Sequence, residues 1–280
     1  MSHITAVTVP QHEKAARFRA LHDGPSTFVI PNPWDVASAR ILAGLGFAGL
    51  ATSSAASACA VGLRDGELSR EQALAHAATI VAATDLPVSA DLERGFGHRP
   101  ETVAETIRLA AEVGLVGCTI EDATGNPDQP LYDLPLAVER IAAGAEAAHA
   151  LGFPFLLTAR AHNLMYANPD LDETIRRLQA FERVGADVLF APGLADLHAV
   201  RTVCAAVSKP VNFMVGIKNK SFSVSELAAA GVKRVSLATS LYRAAMTGFL
   251  QAVYEVKNSG QFGFVDTSAS TNDLLKLMGI

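Results

Sequence analysis

The 280-residue chain has little with which to build a disulfide framework, a thiolate metal site or a membrane anchor. Its three cysteines, Cys59, Cys118 and Cys204, are odd in number and widely spaced, with no CxxC pair or zinc spacing among them. That excludes a stapled secreted mini-fold and points to a reducing, cytoplasmic setting. No uninterrupted apolar run reaches the ~18 residues of a membrane span. The opening segment MSHITAVTVPQHEKAARF has no apolar h-region, so no secretory leader is expected. Basic residues do not predominate: Lys and Arg number 23 against 28 Asp and Glu, for a net charge of −5. A nucleic-acid footprint is therefore not expected. A small anionic partner stays admissible, because one local cation outweighs a weak global charge.

Half of the chain is hydrophobic, 50% by count, and its apolar residues come in short runs separated by longer Ala-rich amphipathic stretches. Buried parallel strands are expected at 27–31, 49–53, 87–91, 116–121, 155–160, 187–191, 210–213 and 234–238. Helices are expected at 36–45, 70–83, 103–113, 136–150, 172–184, 194–207, 224–230 and 240–256. About eight strand–helix units are the content of an α/β fold of the (β/α)8 TIM-barrel type. Gly46, Gly114, Gly152, Gly185 and Gly231 stand where helices would end on a left-handed residue. No linker divides the chain, so residues 1–280 read as one barrel domain. Positions 260–280 form a C-terminal helical extension, docked on its own barrel or on a neighbouring subunit. The alternative is an open doubly wound sheet. It would carry a glycine-rich fingerprint after its first strand, where this chain has PNPWD. The later stretch DLERGFGHRP lacks the Lys-Ser/Thr of a phosphate loop.

Barrel enzymes collect their chemistry where strands end and loops begin. Here the apolar runs stop on Asn32, Thr52 and Ser53, Asp91 with Glu93, Glu121 with Asp122, Arg160, and Asn212. Charge is expensive to bury without partners. One explanation is that Asp91, Glu93 and Glu121 share a cation while Arg160 faces an anionic ligand. An all-oxygen set without His or Cys suits Mg²⁺, or Mn²⁺, rather than zinc. The other explanation is that these acids pair with Arg94, Arg160 or helix N-termini.

The ordered phrases ATSSAASACAVGLRDGELSR, PVSADLERGFG, GCTIEDATG, LLTARAHN and KPVNFM resemble the isocitrate lyase/phosphoenolpyruvate mutase superfamily. The resemblance runs from about Phe28 to Ala238. It implies a barrel whose last helix is exchanged between subunits of a homotetramer or dimer, and a Mg²⁺ cofactor. It implies that Asp91 and Glu93 hold the metal, with Glu93 where an Asp is common, and that Glu121 joins them through water. Thr52, Ser53 and Ser54 would hold the oxygens of a small carboxylate substrate. Arg160 would bind substrate oxygens too, and Asp65 would approach the reacting group. Trp34, after PNP, reads as a barrel-rim residue or a substrate contact, and Asn212 as a substrate contact.

The chain also departs from the family pattern. Isocitrate and methylisocitrate lyases carry a Lys-Lys/Arg-Cys-Gly-His loop after the fourth strand, and here the segment is EDATGNPDQPLYD. The usual Glu after the sixth strand is missing, with Pro192 near its place. The expected activity is therefore Mg²⁺-dependent C–C cleavage of a small 2-oxo or 2-hydroxy acid through an enolate, such as decarboxylation of an oxaloacetate-like compound. The alternatives are P–C chemistry of the phosphonopyruvate hydrolase or phosphonomutase kind, and a non-catalytic 2-oxo acid binder. A phosphoryl group needs extra positive charge, for which Arg64, Arg94, Arg99 and Arg160 are the candidates. Loop 123–133 reads as a lid. Cys59 and Cys118 read as inert buried thiols, and His162 as a loop hydrogen-bonder or a proton donor.

Overall fold

The computed structural model describes residues 9–166 and 169–280. The first eight residues, on which the reading of the leader partly rests, lie outside the described residues. Eight parallel strands follow one another round a barrel: β1 Phe28–Ile30, β2 Leu50–Ala51, β3 Val88–Asp91, β4 Gly117–Glu121, β5 Leu156–Arg160, β6 Val188–Phe190, β7 Val211–Met214 and β8 Arg234–Ser236. The ladder runs β1-β8-β7-β6-β5-β4-β3-β2. Across the remaining seam the Ala51 N–H donates to the Pro31 carbonyl at 3.1 Å, so the sheet meets itself and is not open.

Helices wrap this sheet: α1 Gln11–Asp23, α2 Val36–Gly44, α3 Ser54–Ala60, α4 Arg70–Ala82, α5 Pro100–Glu112, α6 Leu134–His149, α7 Leu171–Arg183, α8 Leu197–Ala206, α9 Val224–Ala229, α10 Ser240–Ser259 and α11 Thr271–Leu277. The start of most of them follows from local chemistry. Asp35, Ser53, Ser69, Asp133, Asp170, Asp196 and Ser223 each accept a backbone N–H of the first turn. Gly46, Gly114, Gly185 and Gly231 take positive φ between 85° and 104° after their helices. Gly152 does not; α6 closes on Ala150 in right-handed geometry, and the glycine lies in a bend beyond it.

Helices α1 and α3 correct the expectation. The α1 sequence QHEKAARFRALHD has too few apolar residues to announce an amphipathic stripe. It nevertheless buries Ala15 and Phe18 against Ile30, Val116 and Leu156, forming a small core at the N-terminal ends of the strands. The second strand is shorter than expected because Ser53 already caps α3. Cys118 is buried, as expected, and burial pushes its thiol well above the usual range. Cys59, on α3, is exposed instead.

Helix α10 buries no residue. Phe249, Leu250, Val253 and Tyr254 stay exposed along it. The chain then returns, and α11 packs on α2 of its own barrel. A Cβ on Gly44 would lie 2.0 Å from the Leu277 carbonyl oxygen, so this contact requires glycine.

Candidate active site at the mouth of the barrel

The ends of β3, β4 and β5 bring three charges together. Glu121 and Arg160 are register partners at the last rung of their ladder, with Nε and Oε2 3.3 Å apart. Arg160 Nη1 also lies 3.7 Å from Asp91 Oδ2. Asp91 accepts from Ser54 Oγ at 3.2 Å and from the Glu93 N–H at 3.2 Å, while its own N–H donates to Thr52 Oγ1. Arg160 Nε is buried and makes no hydrogen bond, the one such side-chain atom among the described residues. An orphaned guanidinium donor at a pocket wall is costly unless a ligand satisfies it.

The carboxylates differ in their electrostatics. Burial works to raise the Glu121 pKa, but Arg160 and the 3.0 Å bond from His162 Nδ1 prevail and hold it at about 2. Burial, then Asp91, Asp65 and Glu121, push Glu93 up to about 7. Asp91 is raised by burial, with Arg160 opposing and Glu121 and Asp65 adding. Such a cluster of carboxylates has more negative charge than Arg160 and Arg94 neutralise, which is the setting a divalent cation corrects.

The turn after β3 is shaped for this purpose. Glu93 and Phe96 take φ of 50° and 60°, left-handed values that ordinary residues adopt only at a cost. Arg140, 1% exposed, donates to the carbonyls of Arg94, Gly97 and His98, and Thr106 Oγ1 donates to that of Gly95. Tyr132 lies against the Arg140 guanidinium, 4.3 Å from its ring centre, and its hydroxyl meets His98 Nδ1 at 2.7 Å. None of these supports has a strong sequence signal. Arg140 sits in a helix pattern, where it reads as a surface residue.

A cavity of about 280 Å³ opens at the centre of the mouth. Thr52, Ser53, Ser54, Asp65, Asp91, Arg160 and Asn212 line it, together with Phe190, Met165 and Met214. A second hollow of about 270 Å³ adjoins it beneath Ala123 and Gly125 of the lid segment, lined by Glu93, Arg94, Glu121 and His162. The two share Ser54, Asp65 and Arg160. All of the expected site residues except Trp34 therefore meet at these hollows. The Trp34 ring packs edge-on against Tyr242 of α10 instead, 5.6 Å between centroids, and its carbonyl takes a bond from His76 Nε2.

Asn32 is more deeply involved than a strand-end polar residue need be. Its amide donates to the Thr52 carbonyl and accepts from the Leu237 N–H, tying β1 to the loops after β2 and β8. His162 joins the acids through Glu121, and its N–H donates to Asp122, which Arg177 holds at 3.1 Å. The lid segment is a pinned hairpin, with Ala123 bridged to Leu131 and the Thr124 N–H bonded to the Pro130 carbonyl. Of the arginines considered for extra charge, Arg94 lines the second hollow. Arg99 pairs with Glu101 in solvent, its side chain 81% exposed, and Arg64 is exposed on its loop.

The chain is similar to known proteins over most of its length. The family profile described as phosphoenolpyruvate phosphomutase matches residues 18–257. The 2-methylisocitrate lyase of Shewanella oneidensis is 30% identical over 245 residues, covering 84% of this chain and 82% of that protein. An oxaloacetate decarboxylase of Ectopseudomonas mendocina is 28% identical, covering 89% and 86%. A crystal structure from Burkholderia cenocepacia J2315, provisionally described as a lyase/mutase, superposes with a TM-score of 0.94 at 50% identity, covering 96% and 97%. The chain belongs to the phosphoenolpyruvate phosphomutase family, within the isocitrate lyase/phosphoenolpyruvate mutase superfamily.

Proposed function

We propose that this enzyme is a Mg²⁺-dependent lyase that cleaves a C–C bond of a small 2-oxo or 2-hydroxy acid, with oxaloacetate-type decarboxylation as the leading case. The carrying observation is Arg160, ion-paired with Glu121 and Asp91 yet with no hydrogen bond at its buried Nε, on the wall of a cavity of metabolite size. The oxaloacetate decarboxylase among the relatives supports the same chemistry.

The residues fit the metal. Among the described residues no three acidic, imidazole or thiol groups converge closely enough to cage an ion alone. Mg²⁺ commonly takes one or two carboxylates and keeps waters and substrate oxygens for the rest. Asp91 is the direct ligand in this reading, with Glu93 and Glu121 acting through water. When bound, the metal supplies Lewis-acid stabilisation of the charge that develops on the substrate oxygens.

The protein's own groups do the remaining work. Arg160, which lines both hollows, binds and orients the substrate carboxylate. Ser53, Ser54 and the backbone of their loop fix the other oxygens and complement the enolate's charge. Asn212 donates to the substrate from the opposite wall. Asp65, which lines both hollows, faces the bond to be broken. The lid segment excludes water. Phe190, Met165 and Met214 give the cavity an apolar side suited to a substrate carbon chain.

The position of Asp65 also supports a second reading, P–C chemistry with Asp65 as nucleophile or base, in keeping with the matched family profile. One experiment separates the two. The protein is incubated with Mg²⁺ and oxaloacetate, phosphonopyruvate, phosphoenolpyruvate, 2-methylisocitrate and dimethylmalate, and products are followed by NMR. Consumption of a carbon substrate that stops with EDTA supports the lyase; consumption of phosphonopyruvate or phosphoenolpyruvate supports the second reading. Oxalate binding without any turnover leaves a non-catalytic binder.

The exposed apolar side of α10 supports a homo-oligomer in which this helix packs on a neighbouring subunit. The mass in solution tests it, and a monomer that Phe249→Arg leaves unchanged contradicts it.

A further inference from the structure

Arg234, the first residue of β8, is 4% exposed and lines the same cavity as Asp91 and Arg160. Among the described residues no carboxylate lies within ion-pair distance of it. Its partners are neutral: Nε donates to Asn212 Oδ1 at 2.8 Å, Nη2 donates to Thr158 Oγ1 at 3.1 Å, and Nη1 faces His22 Nε2 at 3.4 Å. A buried guanidinium without a counter-charge carries a heavy desolvation cost.

The bonds around Arg234 have a fixed direction. His22 Nδ1 lies 2.8 Å from the Phe18 carbonyl, which can only accept, so Nδ1 carries the proton and Nε2 offers its lone pair to Arg234. A guanidinium has donors only. Asn212 must therefore turn its carbonyl oxygen to Arg234 and its amide nitrogen the other way. That nitrogen donates to Ser236 Oγ at 3.0 Å, and its second hydrogen is left for an occupant of the cavity. With Arg234 absent, the Asn212 amide could flip and show an acceptor to the substrate.

We propose that Arg234 is a positioning residue for anion recognition: it locks Asn212 as a donor towards the cavity and places an uncompensated positive charge beneath the substrate's carboxylate. The inference rests on the reading that this cavity takes a small carboxylate. It also gives α1 a part in the site, because the helix that closes the foot of the barrel supplies the His22 acceptor that holds Arg234. Arg234 is thus a second interior cation facing the cavity with Arg160.

The test is calorimetric binding of oxalate, in the presence of Mg²⁺, to the wild type, Arg234→Met and Arg234→Lys, with the melting temperature of each recorded. Arg234→Met is expected to weaken binding at least about tenfold, a loss of about 1.4 kcal/mol. Arg234→Lys, which keeps the charge and a donor, is expected to stay close to wild type. Should Arg234→Met yield no folded protein, Arg234→Gln, which keeps an amide donor and loses the charge, is read in the same assay with the same expected weakening. A merely structural role lowers the melting temperature and leaves the dissociation constant of the folded variant unchanged, which overturns the inference. Equal weakening in Arg234→Lys and Arg234→Met also overturns it. A wild type that binds no oxalate overturns the carboxylate reading and this inference with it, whereas wild-type binding that survives Arg234→Met overturns the inference alone.

Discussion

Glu121 and Arg160 face each other across the last rung of the β4–β5 ladder, 3.3 Å apart, and the arginine nitrogen in that contact has no hydrogen bond. The pair is close enough to hold Glu121 ionised and too poorly aligned to satisfy the guanidinium. Arg160 is thereby charged, oriented and available to a ligand. Replacing it with Met leaves Asp91 and Glu121 without their nearest cation. We expect Arg160→Met to abolish detectable turnover and to lower stability by about 3–5 kcal/mol at neutral pH, as when one member of a buried pair is removed. Kinetics and urea unfolding at pH 7.5 check this. An unchanged kcat/KM would remove Arg160 from the mechanism.

Arg140 is a separate lever on the same site. It reaches no ligand, yet it binds three carbonyls of the strained turn that carries Glu93. Arg140→Met frees that turn. The expected result is a Mg²⁺ requirement raised roughly 10–100-fold, as for other groups that orient metal ligands. Activity titrated against Mg²⁺ reads the effect, and a variant with the wild-type midpoint would show that the turn holds itself.

His22 makes a prediction about pH and stability. Its ring is held neutral in the folded barrel, with a pKa lowered to about 3, first by burial and then by Arg234, with Arg19 and Lys233 adding and the Phe18 carbonyl opposing. In the unfolded chain it protonates near the ordinary histidine value of 6.5. Between those two values the unfolded state binds one proton more, so this residue's contribution to stability falls as pH falls. The slope is at most about 1.4 kcal/mol per pH unit. His22→Phe cannot titrate, so its stability between pH 6.5 and 4 should decline less steeply than wild type by up to one proton. Parallel urea midpoints for the two proteins across that range measure the difference; identical slopes would mean that folded His22 is free to protonate.

Gly44 sets where the C-terminal helix rests. Gly44→Ala places a methyl against the Leu277 carbonyl and should release α11 while leaving the barrel intact. Limited proteolysis checks this, with rapid trimming beyond Gly260 in the variant and protection in the wild type as the expected contrast.

The fold was legible because each strand is a short apolar run and most of the helices that follow begin on an Asp or Ser cap, α5 and α10 excepted. The acids and Arg160 were legible because charge at the end of a buried strand has few structural reasons to be there. Other features depend on barrel geometry that local sequence does not carry. Arg234 opens the strand expected at 234–238, but only the β7–β8 register puts it beside Asn212. Helix α1 is mostly polar, and what it buries is decided by the foot of the barrel. Trp34 follows a strand end, as the site residues do, but its ring packs on Tyr242 of α10, whose place cannot be read from positions so distant in sequence.

The central claim is a metal-dependent carboxylate site built on Asp91. Its most direct test is oxaloacetate turnover followed by NMR in wild type and Asp91→Ala, each with Mg²⁺ and with EDTA. The account predicts pyruvate formation above the metal-catalysed background in the wild type with Mg²⁺ alone, and loss of that excess in the variant or with EDTA. Equal excess turnover in Asp91→Ala, or turnover indifferent to EDTA, would contradict it.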